Sequence, residues 1–218
     1  MKILVYGAGC IGSLFAAKLK DADHDLRILA RGRRLREIRE PGILLEDSQN
    51  GEKSTTCVNV VARLDEADVY DVVLVILPRH KVRDVLPILA QNRGTPSIMF
   101  IGNNAAGPDE MINALGRERV LLGFPGAGGV RDGETIRYLI LDRREQPTTI
   151  GEIDGLESKR IKAIASVLQS AGLPTSICAN MDAWLKTHVA EICPTAGAFY
   201  MADGDIDQWK EDRESLVL

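Results

Sequence analysis

Residues 2–12 read KILVYGAGCIG. The run KILVY is short and apolar, as a strand buried on both faces requires. Three glycines follow at once, spaced G-x-G-x-x-G, and then Ile11, Leu14, Phe15 and Leu19 recur at helical spacing. Residues 10–21 are therefore expected to be helical. A strand that passes directly into a helix through this loop narrows the choice of fold sharply. Gly7 permits the tight turn, Gly9 lets backbone approach a diphosphate, and Gly12 lets the helix lie close to the sheet. The helix N-terminus then presents free N–H groups and a positive dipole end. The loop Gly7, Ala8, Gly9, Cys10, Ile11 and Gly12 is expected to bind a dinucleotide; the plainer alternative is an ordinary glycine-rich turn.

The rest of the chain continues the alternation of strand and helix. DLRILA (25–30), DVVLVIL (71–77), PSIMFIG (96–102) and RVLLGF (119–124) read as strands. RRLREIRE, KVRDVLPILA and PDEMINALG read as the helices between them. GILLED and TTCVNVVA flank SQNGEK, which suggests a hairpin turned at Asn50-Gly51. ETIRYLIL and PTTIGEI flank the charged run DRREQ and suggest an antiparallel pair. SKRIKAIASVLQSAGL (158–173) is an amphipathic helix, TSICA a short strand, and everything from Met181 onward reads helical. Such alternation implies an α/β chain of Rossmann type: a doubly wound, mostly parallel sheet covered on both faces. The boundary is expected near Ala179-Asn180, giving a dinucleotide-binding domain over 1–179 and the beginning of an all-helical second domain over 180–218. That remainder is too small to hold a core alone.

The end of the second strand selects between dinucleotides. An acid there holds a ribose 2′-hydroxyl and repels a 2′-phosphate. Here the sequence is LARGRR, so Ala30 is followed by Arg31. A guanidinium pairs with phosphate through two N–H bonds. NADP(H) is the expected cofactor, with Arg31 the main contact and Arg33 or Arg34 secondary; a solvated basic helix face is the alternative. The chain as a whole has a net charge of −4, with RGRRLRE a local basic exception, which argues against general nucleic-acid binding. Its four cysteines form no CxxC pair, so neither a disulfide framework nor a zinc site is expected. MKILVYGAGC does not suit a signal peptide, and no apolar run is long enough to span a membrane. A cytoplasmic protein is expected.

Taken together, KILVYGAGCIGSLFAAKL, LARG, FIGNNAAGPDEM, GGVRDGETI, TTIGE and NMDAWLKTHVA resemble the ketopantoate reductase (2-dehydropantoate 2-reductase) family, and they occur in family order. The resemblance implies that NADPH delivers hydride to a small 2-keto acid, ketopantoate yielding pantoate in pantothenate biosynthesis. It implies that a lysine on the first helix of the second domain protonates the carbonyl oxygen; by position this is Lys186. Asn103 matches the family asparagine near nicotinamide and substrate. Gly129, or its neighbour Gly128, matches the small residue beside the cofactor, and the turn at Pro78 falls along the cofactor too. A closed cleft around Lys186, with Trp184 and Leu185 beside it, would desolvate the ammonium and lower its pKa.

The sequence also departs from the family pattern. Pro78 stands where the family has a lysine, leaving Arg79 or Lys81 to reach the same space. Ala190 and Pro194 stand where the family's helix carries asparagines, and neither side chain can hydrogen-bond. Pro194 should kink or end that helix. DQWKEDRESLVL reads as an interrupted helix, consistent with a fragment, a shortened gene, or a protein completed by a partner. Besides the reductase, two readings stay open: an NADP(H)-binding module or sensor without catalysis, and a 3-hydroxy acid or imine reductase on the same architecture. Trp184, Ile192, Phe199 and Tyr200 are expected to form an apolar patch through which a homodimer could assemble.

Overall fold

The structure, a computed structural model, describes residues 1–201 together with 203 and 204. Its strands are β1 (Lys2–Tyr6), β2 (Asp25–Leu29), β3 (Ile43–Asp47), β4 (Lys53–Thr56), β5 (Asn59–Val61), β6 (Val72–Val75), β7 (Ile98–Ile101), β8 (Val120–Phe124), β9 (Ala127–Asp132), β10 (Thr135–Ile140), β11 (Thr148–Glu152) and β12 (Thr175–Ile177). Its α-helices are α1 (Cys10–Asp21), α2 (Gly32–Arg39), α3 (Arg79–Gln91), α4 (Asp109–Leu115), α5 (Lys159–Ser170) and α6 (Met181–Met201).

Eight strands form one sheet in the order β12-β11-β8-β7-β6-β1-β2-β5. Neighbours are parallel throughout except where β11 meets β8. The twofold period of a strand explains why β1 carries no polar face. Ile3 and Val5 point into a core shared with α1 and α5, while Leu4 and Tyr6 point into one shared with α3, α4 and α6. This is the doubly wound α/β arrangement expected from the sequence.

A second sheet, in the order β4-β3-β10-β9, lies over α1. It explains the composition of that helix. Leu14, Phe15, Ala16, Ala17 and Leu19 are all buried, because one side of α1 faces the large sheet and another faces Ile43, Leu45, Ile136 and Tyr138. Burying a side chain the size of leucine or phenylalanine contributes roughly 1.5–3 kcal/mol.

Three local expectations are corrected here. ETIRYLIL and PTTIGEI do not pair with each other: β10 joins β3 and β9 in the small sheet, while β11 joins β8 in the large one. Both segments are apolar enough to be strands, and only packing chooses their partners. TTCVNVVA is likewise split; Thr55 and Thr56 end the hairpin with β3, and Asn59–Val61 pairs with β2. Third, Pro194 does not end the last helix, which runs on to Met201. Proline removes one backbone donor, and an exposed turn can leave the freed carbonyl to water. The segment DQWKEDRESLVL lies outside the described residues.

Candidate active site

The chain runs outward from β1 through β2 to β5 on one side, and from β6 through β7 to β8 on the other. The loops after β1 and β6 therefore part, opening a crevice at the carboxyl edge of the sheet. The predicted residues gather along that edge.

Gly7 and Gly12 are required by the protein itself. Gly7 has φ of +127°, and a Cβ there would run into the Ile76 carbonyl oxygen. A Cβ at Gly12 would overlap the carbonyl oxygen of Gly7. Gly9 differs, since a Cβ built on it would meet nothing within 4 Å. Gly9 is the N-cap of α1 and offers no side-chain cap. The first intrahelical bond runs from Ser13 N to Gly9 O at 2.9 Å, so the first-turn N–H groups of Cys10, Ile11 and Gly12 are left without helical partners. Ala8 supplies its carbonyl oxygen to Arg34 Nε at 3.1 Å.

Arg31 is exposed, and its guanidinium donates to the Tyr6 hydroxyl at 2.9 Å. Arg34 is tied into the protein: besides the Ala8 carbonyl it reaches Ser13 Oγ at 3.0 Å and Glu37 at 3.3 Å. Burial is the main reason its guanidinium titrates below the ordinary value. Arg33 pairs with the other oxygen of Glu37 at 2.9 Å. Arg131, arriving from β9, reaches Glu37 at 3.4 Å. Sequence reasoning missed Tyr6, Glu37 and Arg131. The spacing of Arg33 and Arg34 from Glu37 on one helix was a usable signal; nothing local points to Arg131.

Gly129 lies beside the phosphate loop, for a Cβ there would sit 3.5 Å from Cys10 Cβ. Gly128 faces open space. Pro78 caps α3 immediately after β6, next to Gly7 through the neighbouring Ile76 and Leu77. Beyond it, Arg79 donates to Asn104 Oδ1 at 3.1 Å and to Glu110 at 2.9 Å. Arg79 and Asn103 line the same small crevice, whereas Lys81 is exposed. Asn104 is buried and also donates to the Gly107 carbonyl at 2.9 Å. It shapes the loop and leaves its neighbour Asn103 exposed.

Helix α6 brings Lys186 to this loop. Asn180 caps it by accepting from Ala183 N at 3.0 Å, and Met181 and Leu185 anchor it in the core. Trp184 stacks on His188 with centroids 5.2 Å apart, and both rings lie against Phe124. Lys186 Nζ pairs with Asp182 at 2.6 Å. A Cβ at Gly107 would lie 3.4 Å from Asp182 Oδ1 and 4.0 Å from Lys186 Nζ. Among the described residues the desolvating cleft expected around this lysine does not form: its side chain is 51% exposed. Past it, Ala190 and Pro194 are exposed. Of the expected apolar patch, Trp184 is half-buried against the rings just named, while Ile192, Phe199 and Tyr200 are exposed. Among the described residues, none of the groupings of His, Cys, Asp and Glu is placed to hold a metal ion. None of the helices described is long and apolar enough to cross a membrane.

A family model described as ketopantoate reductase PanE/ApbA matches residues 3–155. A 2-dehydropantoate 2-reductase of Mesorhizobium japonicum is 30% identical, over 85% of this chain and 63% of its own length. One from Archaeoglobus fulgidus is 24% identical, over 94% of this chain and 66% of its own. The crystal structure of a 2-dehydropantoate 2-reductase from Porphyromonas gingivalis W83 superposes with a TM-score of 0.75, at 20% identity, over 99% of this chain and 77% of that one. At that identity the likeness establishes the fold. The chain spans just under two thirds of the length of these two curated relatives.

Proposed function

This chain belongs to the ketopantoate reductase family, and from that premise we propose that it is an NADPH-dependent reductase of a small 2-keto acid. The supporting observation is the meeting of Lys186 with the loop that carries Asn103, at the same sheet edge as the glycine turn. The turn fits a dinucleotide: the one glycine of three that the protein does not itself require, Gly9, faces open space beside unpaired helix N–H groups.

When bound, the reduced nicotinamide supplies hydride to the substrate carbonyl carbon. Gly7, Ala8, Gly9, Cys10, Ile11 and Gly12 hold the diphosphate, Arg31 the 2′-phosphate, and Pro78 and Gly129 flank the cofactor. Asn103 orients the carbonyl from its exposed position. Lys186 stabilises the charge that develops on the carbonyl oxygen and then protonates it. General acid catalysis of this kind is worth roughly 10²–10⁴-fold. Asp182 keeps the ammonium aimed at the loop. Helix α6 opens, in this reading, a substrate domain over 180–218, joined to the cofactor domain over 1–179.

NADPH oxidation followed with ketopantoate and a panel of other 2-keto acids tests the reading. Turnover that vanishes in Lys186→Ala, with NADPH affinity retained, is the expected result; full turnover in that variant would refute the role. A second reading draws on the exposed face beyond Lys186, where Ala190 and Pro194 provide no side-chain hydrogen bonds. It is a catalytically inactive NADP(H)-binding module or sensor. Micromolar NADPH binding without turnover on any keto acid would favour it.

A further inference from the structure

Three guanidiniums converge on the single carboxylate of Glu37. Arg33 Nε takes one oxygen at 2.9 Å; Arg34 and Arg131 share the other at 3.3 and 3.4 Å. Arg34 and Arg131 are close enough for each to feel the other's charge: after burial, Arg131 is the next cause lowering the Arg34 pKa, opposed by the bond to Glu37. Three positive groups against one negative leave a surplus of two. With Arg33 largely in solvent, the surplus held by Arg34 and Arg131 against Glu37 is one charge, which a phosphate monoester dianion would neutralise.

The three arginines are not equivalent. Arg34 has donors committed to Ala8, Ser13 and Glu37, and its side chain is only 12% exposed. It braces the phosphate loop. Arg33 stands in solvent. Arg131 is an exposed residue whose side chain is 28% exposed, and Glu37 is its ion-pair partner among the described residues. A guanidinium carries five N–H donors, so most of its fork is open. Arg131 also shares a face of β9 with Gly129, since strand side chains alternate. Gly129 is the residue that passes Cys10 in the phosphate loop. Through Glu37 the small sheet thus brings a cation beside Arg33 and Arg34, in the first turn of α2, whose N-cap is Arg31.

The geometry points to Arg131 as a specificity-determining residue that takes the ribose 2′-phosphate of NADP(H) together with Arg31, while Glu37 holds it in position. This rests on the dinucleotide reading above and extends it to the small sheet.

Dissociation constants for NADPH, NADH and adenosine 2′,5′-bisphosphate test it. In Arg131→Met, affinity for NADPH and for the bisphosphate should fall about tenfold, the scale of one charge-assisted contact, with NADH unchanged. Arg131→Lys, which keeps charge but loses the fork, should fall between and guards against misfolding of the methionine variant. Arg137 on β10 pairs with Glu46 at 3.4 Å and is half exposed. Arg137→Met removes the same charge from the same sheet and should change none of the three constants. An unchanged NADPH-to-NADH ratio in Arg131→Met overturns the inference. So does an equal loss for both coenzymes, which marks a brace, or an equal effect of Arg137→Met, which marks bulk charge. If the unaltered protein takes up neither coenzyme, the dinucleotide reading fails as well. A preference for NADPH that Arg31→Ala abolishes and Arg131→Met leaves intact keeps that reading and removes only this one.

Discussion

The turn at Gly7–Gly12 and the helix around Lys186 serve the same proposed reaction and are built in opposite ways. The turn is enclosed. Its outer glycines are demanded by carbonyl oxygens a bond length or two away, and α1 behind it is wrapped by two sheets. Among the described residues the helix is anchored at its base, by Met181 and Leu185 with Trp184 beside them, and from Glu191 to Met201 nearly every residue is exposed. Tyr200 and Met201 are 84% and 87% exposed. A site for a shared cofactor can be completed inside one domain. A substrate site that must exclude water needs a second wall, and in the proposed reading α6 supplies one face of it.

That contrast can be broken experimentally. The largest effect is expected at Lys186. Lys186→Ala should lower turnover by roughly 10²–10⁴-fold, yet shift unfolding free energy by less than about 1 kcal/mol, because an exposed ion pair stabilises little. Turnover and urea unfolding measured on one preparation check both halves. A stability loss as large as that of a core substitution would mean that α6 is integral to the fold.

Next come the glycines. Gly12→Ala forces a Cβ onto the Gly7 carbonyl and should destabilise by about 1–3 kcal/mol or more, seen as a lower melting temperature. Gly9→Ala should leave the melting temperature of the free protein unchanged and weaken NADPH binding, because only the ligand occupies that space. Equal melting losses in both would remove the distinction between a glycine required by the chain and one required by its ligand.

A smaller effect is expected at Tyr6. Tyr6→Phe deletes the hydroxyl that steadies Arg31, a hydrogen bond worth about 0.5–1.5 kcal/mol. NADPH affinity should drop a few-fold with NADH unaffected; titration of both coenzymes decides. The smallest concerns pH. Hydrogen bonds from Arg83 and then Arg79 hold the Glu110 carboxyl below its ordinary value of 4.5. A depressed carboxylate stabilises fully above the unfolded value, and that contribution is lost as pH falls through the folded value. The tie between α3 and α4 should therefore persist at neutral pH and weaken only below about pH 4.5. Glu110→Gln should lower the neutral plateau slightly and flatten the acid limb, so that the two stability curves converge at low pH.

Much of this was legible in local sequence. The bounds of β1 and α1 follow from apolar spacing, because each element's contacts repeat with its own period. The two buried glycines of the turn and the lysine row Asp182–Lys186 could be placed by spacing alone. The exposure of Lys186 could not, because burial depends on what packs above the helix rather than on the residues within it. Strand partners were equally hidden: ETIRYLIL and PTTIGEI are neighbours in sequence and belong to different sheets.

What the sequence by itself determined is the local chemistry: a strand-turn-helix with glycines where carbonyls crowd, an arginine in place of an acid after β2, a lysine one turn beyond an aspartate. Those features depend on residues within a few positions of each other, where covalent geometry limits the choices. Tertiary structure alone decided the small sheet over α1, the anchoring of Arg34 to the phosphate loop, and the arrival of Arg131 at Glu37 across 94 positions. Contacts at that separation are chosen by competition among many strands of similar apolarity, and only the packed whole resolves that competition.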